Sequence, residues 1–445
     1  MKISRRNFLT AAGLSIAANA FSSTDTLAKE KPVGKVSNDL QDWSAVRDEF
    51  DLGREYIHLS SFFLASHPRP VREAIERYRK EIDRNPFEVV EHGLFNPEGE
   101  SMTDKVKKAA AEYLEAKPEE IALTGNTTTG LALIYQGLKL KANQEILTTA
   151  HDHYSHHESI RLAAEKAGAS VKKISLFDRF DSISEQSIVE RIRSGITDRT
   201  RAIGITWVHS SSGLKLPVRK IADAIRDLNR NRDDSDRMLL IVDGVHGLGV
   251  ENETVDSLGV DFLAAGTHKW IFGPRGTGII WGREESWASL RPTIPSFESM
   301  EPILAWMSGQ ASTNRTRAAW VSPGGFAAYE HRWAMADAFR FHLQLGKQKV
   351  ADRIHALNSL CKEGLASIPG VELYTPKDVN LSAGIICFDL EGKQPQQVVD
   401  YLLTKKIIAS TSPYAVSYAR VAPSLVNTPE EIETMLNEIR AFANA

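Results

Sequence analysis

Two residues of this 445-residue chain are placed to do covalent chemistry together. Lys269 lies in "GTHKWIFGPRGTG" (266–278), and Asp243 ends the apolar run "LLIVD" (239–243), 26 positions earlier. A lysine beside a glycine-rich turn has two uses. It can help cradle a phosphate in a nucleotide loop, or its amine can bond to a carbonyl. A nucleotide-hydrolase loop needs its lysine after the glycines, at the start of a helix. Here the lysine comes first and the glycines lead into a strand-like run, "GTGIIW" (276–281). Gly273, Gly276 and Gly278 also miss the dinucleotide-binding spacing and open no helix. Chain order therefore favours an amine that reacts with a carbonyl, with Asp243 supplying a carboxylate. The plainer alternative is an Asp–Lys ion pair at the edge of a sheet.

The elements around these residues fit the covalent use. Ligands of open parallel sheets bind beyond the C-terminal ends of the strands, where Asp243 is expected. One crossover and one strand fit between it and Lys269, so both side chains can face one crevice. The same alternation repeats along the chain. Runs at 119–125, 144–150, 170–176, 200–208, 237–245, 260–268 and 276–282 read as strands. Amphipathic helical runs separate them, among them 126–138, 158–168, 184–196 and 218–230. This predicts an α/β fold with a mostly parallel seven-stranded sheet. From about residue 301 long helical runs take over, followed by shorter strands and helices. The predicted organisation is a leader at 1–28, an arm at 29–60, a large domain at 61–300 and a smaller α/β domain at 301–445.

A lysine amine and a carboxylate in one cleft suit pyridoxal 5′-phosphate. The amine forms a Schiff base with the aldehyde, and the carboxylate pairs with the protonated ring nitrogen. Further residues fall where such a cofactor needs them. Thr127 and Thr128, in "TGNTTTG" (124–130), join a strand to a helix and offer hydroxyl and N–H groups to a phosphate. An ordinary helix cap is the alternative there. His268 adjoins the lysine and would add a phosphate contact. His246 would reach the ring hydroxyl or move a proton. Tyr154 follows the strand at 144–150 and would stack on the ring. Arg420 would grip a substrate carboxylate through two parallel hydrogen bonds; a surface arginine is the bland alternative.

Taken in order, "GNTTTG", "DGVH", "GTHKWIFGPRGTG" and "ARVAPSLVNT" resemble the class V aminotransferases. This family of fold-type-I pyridoxal phosphate enzymes includes cysteine desulfurases, kynureninases and isopenicillin N epimerase-like proteins. The likeness runs from about Tyr56 to the end of the chain. It implies Lys269 as the Schiff-base residue and proton-moving base, Asp243 at the ring nitrogen and His268 at the phosphate. It places Tyr154 on the ring, with the adjacent His153 as the other choice. Ser210 stands where the family usually carries an asparagine at the ring hydroxyl. The resemblance also implies a homodimer with sites at the interface, for which Ser322 is a candidate contact across the dimer. Desulfurases of the family carry a nucleophilic cysteine shortly before the substrate arginine. The stretch 405–420 has none, so the expectation is an enzyme that is not a cysteine desulfurase. The implied substrate is an amino acid or peptide-like molecule displaying an α-amino-carboxylate. Transamination, epimerisation and C–S lyase chemistry stay open. A non-catalytic binding protein on the same fold is the alternative that Lys269 and Asp243 argue against. The chain is also similar to an exported group that modifies a glutamate side chain during maturation of the siderophore pyoverdine.

The first residues carry a separate message. Lys2, Arg5 and Arg6 precede a mildly apolar stretch from Phe8 to Phe21 and a small-residue site at 26–28. That is signal-peptide grammar. The paired arginines before Asn7, Phe8 and Leu9 resemble a twin-arginine leader, which implies export of the folded protein to the periplasm. An uncleaved amphipathic arm is the alternative. No internal apolar run approaches bilayer length, so no membrane anchor is expected after the leader. A net charge of −3 gives no electrostatic footprint for nucleic acid. The two cysteines, Cys361 and Cys387, permit a disulfide without implying one, and Cys387 reads as a core thiol. The histidines of "HDHYSHHE" (151–158) have mixed spacings and no second ligand group in register, so no metal is expected.

Overall fold

The computed structural model describes Leu40, residues 42–96 and residues 100–445. The predicted leader and the first part of the predicted arm lie outside the described residues. After a two-residue strand, β1 (Ile57–His58), seven strands form the main sheet. They are β2 (Ile121–Thr124), β3 (Glu145–Thr149), β4 (Ser170–Ile174), β5 (Thr200–Thr206), β6 (Leu239–Asp243), β7 (Phe262–Gly266) and β8 (Gly278–Gly282). Their order across the sheet is β2-β8-β7-β6-β5-β3-β4. The strands from β7 to β4 run parallel, and β8 is antiparallel to both of its neighbours. The fold is thus α/β with a mostly parallel seven-stranded sheet.

Burial explains why these runs read so clearly as strands. Every residue of β2, β3, β5, β6, β7 and β8 is buried, as expected where helices cover both faces of a parallel sheet. Edge strand β4 instead alternates, with Val171 and Lys173 exposed. A lysine on an open edge discourages pairing with another chain. Helices Thr127–Gly137, Tyr154–Ala167, Glu185–Gly195 and Val218–Asn229 make the crossovers.

A second sheet holds β9 (Val371–Leu373), β10 (Ile386–Leu390), β12 (Ser410–Thr411) and β13 (Ala419–Val421), in the antiparallel order β12-β13-β10-β9. Between them β11 (Ile407–Ile408) pairs in parallel with β1, which ties the start of the described chain to its C-terminal part. The long helical run resolves into helices Tyr329–Leu345 and Lys347–Ala366. They break at Gly346, where φ is +87° and a side chain would be strained. The loop 209–215 stitches the two sheets together. Thr375 Oγ1 donates to Ser212 O at 2.6 Å, and Lys215 N donates to Leu381 O at 2.9 Å. Cys361 and Cys387 are free and buried, and burial pushes the Cys387 thiol up to about 12. Both are core thiols, and no disulfide joins them.

Candidate active site

Sheet register brings the two central residues together. Asp243, the last residue of β6, pairs with Thr206 of β5 on one side and Ala264 of β7 on the other. Lys269 follows the end of β7 by three residues, so both sit at the C-terminal edge of adjacent parallel strands. Asp243 is buried and accepts a hydrogen bond from Val245 N at 3.1 Å. Burial outweighs that bond and raises its carboxyl to about 6. Burial also lowers Lys269 to about 8, against the pull of Asp243 and with the push of Arg420. His246 lies in the turn after β6, and its Nε2 is 3.3 Å from Lys269 Nζ. Its Nδ1 accepts a hydrogen bond from the indole of Trp270 at 3.2 Å. Burial holds His246 well below the ordinary histidine range, so the ring is neutral.

Beside this pair is a cradle of helix N-terminus, hydroxyl and imidazole. The helix Thr127–Gly137 is capped by Asn126, whose side chain accepts from Thr129 N at 2.8 Å. Asn126 therefore takes the capping role, and Thr127 and Thr128 occupy the first two helical positions, whose N–H groups have no partner inside a helix. Thr127 Oγ1 accepts from Gly266 N at 2.8 Å, which docks the helix start on the end of β7; Thr128 is exposed. His268 Nδ1 is buried with no hydrogen-bond partner. A Cβ on Gly266 would fall 2.6 Å from His268 Cε1 and 3.3 Å from Thr127 Oγ1. Only glycine leaves that space open.

The second sheet supplies the opposite wall. Arg420 in β13 is buried over the ring of Phe62, 4.8 Å from its centroid. Its terminal nitrogens donate to Ser210 O and Thr411 O, both at 2.8 Å. Each retains a second N–H, and Nε is buried without a partner. Ser210 Oγ is 2.7 Å from the Tyr414 hydroxyl. Tyr414 presents its ring edge to His153 at 6.1 Å. Asn126, Trp270, Phe62 and Tyr414 belong to this constellation and went unread in the sequence. A donor or apolar ring in such a role carries no motif of its own.

Two expectations need correction. Tyr154 does not reach the site: it is 73% exposed at the start of helix 154–167. The half-buried residue before it, His153, faces the site and feels Lys269 and Arg420. Successive residues at a helix start turn by about 100°, so a one-residue error reverses inside and outside. Ser322 is fully buried, and its Oγ accepts from Leu123 N at 2.9 Å in β2. It props an edge strand, and a contact across a dimer is closed to it.

The model of the class V aminotransferases ("Aminotransferase class-V") matches residues 64–434. The chain belongs to this family. Its members work with pyridoxal 5′-phosphate. This class V protein is 22% identical over 430 residues to a probable cysteine desulfurase of Streptomyces coelicolor, covering 91% of this chain and 98% of that protein. It is 25% identical over 354 residues to isopenicillin N epimerase of Amycolatopsis lactamdurans, covering 78% and 84%. Among solved structures, a mutant of the cystine C–S lyase C-DES with glycine covalently linked to its PLP cofactor superposes with a TM-score of 0.77 at 19% identity, covering 88% of this chain and 98% of that one. These likenesses overturn the expectation that cysteine desulfurases are excluded, since similar proteins over nearly the full length carry that name. The exclusion rested on one loop without a thiol, and that loop leaves the lysine–carboxylate centre untouched.

Proposed function

We propose that this class V family member is a pyridoxal phosphate enzyme acting on a substrate that displays an α-amino-carboxylate. The observation that carries this reading is the grouping of buried Asp243 and His246 with half-buried Lys269 at the ends of β6 and β7. The residues fit the cofactor. A buried carboxylate of raised pKa gains from a cationic ring nitrogen, and the space beside Gly266 and His268 Nδ1 suits a phosphate. Once bound, pyridoxal phosphate supplies an aldehyde for an amine and a cationic ring that takes up electrons when a bond at the α-carbon breaks.

The chain's residues do the rest. Lys269, lowered to about 8, holds a useful share of neutral amine near neutral pH, able to bond and to take the α-proton. Asp243 keeps its charge for the ring nitrogen above about pH 6. Thr127, Thr128 and His268 would hold the phosphate, and His246 and Ser210 would serve the ring hydroxyl. The free N–H groups of Arg420 take the substrate carboxylate. Borohydride reduction of the holoprotein followed by peptide mapping should fix the cofactor on Lys269. A reduced protein carrying no label at Lys269 would sink the assignment.

The finer reading is a periplasmic enzyme that modifies a glutamate side chain in a pyoverdine-type siderophore precursor. The twin-arginine-like start and "PGGFAAYEHRWA" (323–334) support it. Mass spectrometry of a glutamyl precursor after incubation with holoenzyme tests it, and an unchanged mass rejects it. In the same assay, release of persulfide from cystine would assign C–S cleavage, and deuterium exchange at Cα with inversion would assign epimerisation. A homodimer completes the reading.

A further inference from the structure

Trp270 follows Lys269 in the chain, yet its side chain serves a different neighbour. It is buried and closely packed: a Cβ on Gly384 would fall 2.5 Å from the indole ring. Its Nε1 donates to His246 Nδ1 at 3.2 Å. An indole N–H donates only, so the nitrogen it meets must accept and carries no proton. In a neutral imidazole the single proton then sits on Nε2. That nitrogen is the one 3.3 Å from Lys269 Nζ.

The consequence falls on the lysine. An ammonium has three donors and no acceptor. Facing it with an N–H sets donor against donor; facing it with a neutral amine makes a hydrogen bond to the amine lone pair. The opposite tautomer would offer Nε2 as an acceptor and would favour the ammonium. Lys269, Arg420, His153 and His268 all press His246 toward neutrality, while the Asp243 carboxylate, three residues earlier, acts on Lys269. The Phe62 ring, 6.0 Å away, adds no charge.

We propose that Trp270 is a positioning residue whose indole N–H locks His246 in the Nε2–H tautomer, so that a fixed donor faces the nitrogen of Lys269 and any cofactor acceptor beside it. This rests on the reading of Lys269 as the cofactor-bearing residue. It adds the device that keeps this lysine's amine reactive in a buried site.

Long-range proton–nitrogen NMR of histidine-labelled holoprotein reads the tautomer directly, with the His246 signals identified by their loss in His246→Gln. The expected spectrum shows an unprotonated Nδ1 and a protonated Nε2. A proton on Nδ1, or on both nitrogens, overturns the proposal without any need for a tryptophan variant. A second measurement separates tautomer control from packing. Trp270→Phe should move the pH midpoint of the cofactor's visible band by about half a unit or more. In the His246→Gln background the same change should move it hardly at all, because the route through His246 is gone. A shift of equal size in both backgrounds assigns Trp270 to packing alone and overturns the proposal. If the protein shows no cofactor band, the cofactor reading fails, while the spectrum of the unloaded protein still decides the tautomer.

Discussion

Asp243 and Lys269 both carry shifted proton equilibria, and burial is the first cause of each shift. The two have opposite consequences with pH. A carboxyl raised to about 6 binds its proton more tightly in the folded than in the unfolded chain. The stability this gives is full below the unfolded pKa of 3.8 and is lost as pH rises through about 6. At neutral pH the cofactor-free protein therefore folds around a buried anion that opposes folding. Asp243→Asn keeps an acceptor for Val245 N and removes the charge. Thermal melts of apoprotein should show the variant more stable above about pH 6, by about 3 kcal/mol, with the curves converging below about pH 4. Parallel curves over that range would refute the shift. Lys269, lowered from 10.5 to about 8, has its penalty at and below pH 8, relieved as pH rises toward 10.5. These residues were legible in sequence because their types and order are unusual. The step from Tyr154 to His153 was not, since it depends on which way a helix start turns. Trp270 was equally hidden, because its hydrogen bond is decided by side-chain direction.

At the scale of elements, the strands were legible because six of the seven in the main sheet are buried along their whole length and carry short apolar cores such as "LLIVD" and "FLAAG". Their neighbours were not. Nothing in "GTGIIWG" announces that β8 inserts antiparallel between β2 and β7, or that residues 407–411 split between two sheets at β11 and β12. Tertiary pairing makes those choices. One of them carries a prediction. Strand β2 lies at the sheet edge, and the N–H of Leu123 is met there by Ser322 Oγ at 2.9 Å. Ser322→Ala leaves that buried N–H without an acceptor, which costs about 1–3 kcal/mol. Denaturant melts should show this loss while cofactor affinity stays unchanged. A variant of full stability that releases pyridoxal phosphate would return Ser322 to the cofactor site.

For the whole molecule, the question is what covers its exposed apolar side chains. Phe63 is 72% exposed, Trp306 77% and Phe326 85%. Scattered apolar residues on a surface need no explanation, but large rings this exposed mark candidate contact faces. Phe63 follows Phe62, which lies under the Arg420 guanidinium, and Ala65 N donates to His268 O at 3.1 Å. That segment is the rim of the site. Trp306 ends an eight-residue helix, Met300–Met307, that also exposes Leu304 and Met307, and Phe326 lies in the loop before helix 329–345. A second copy related by a twofold axis would set such faces against each other and shield the rim from water. A stable pair needs about 800 Å² from each partner. The chain should therefore sediment as a dimer at micromolar concentration. Trp306→Ser combined with Phe326→Ser should shift it toward monomer and loosen the cofactor, because the rim then faces solvent. A wild-type monomer holding pyridoxal phosphate tightly would show that one chain completes the site alone.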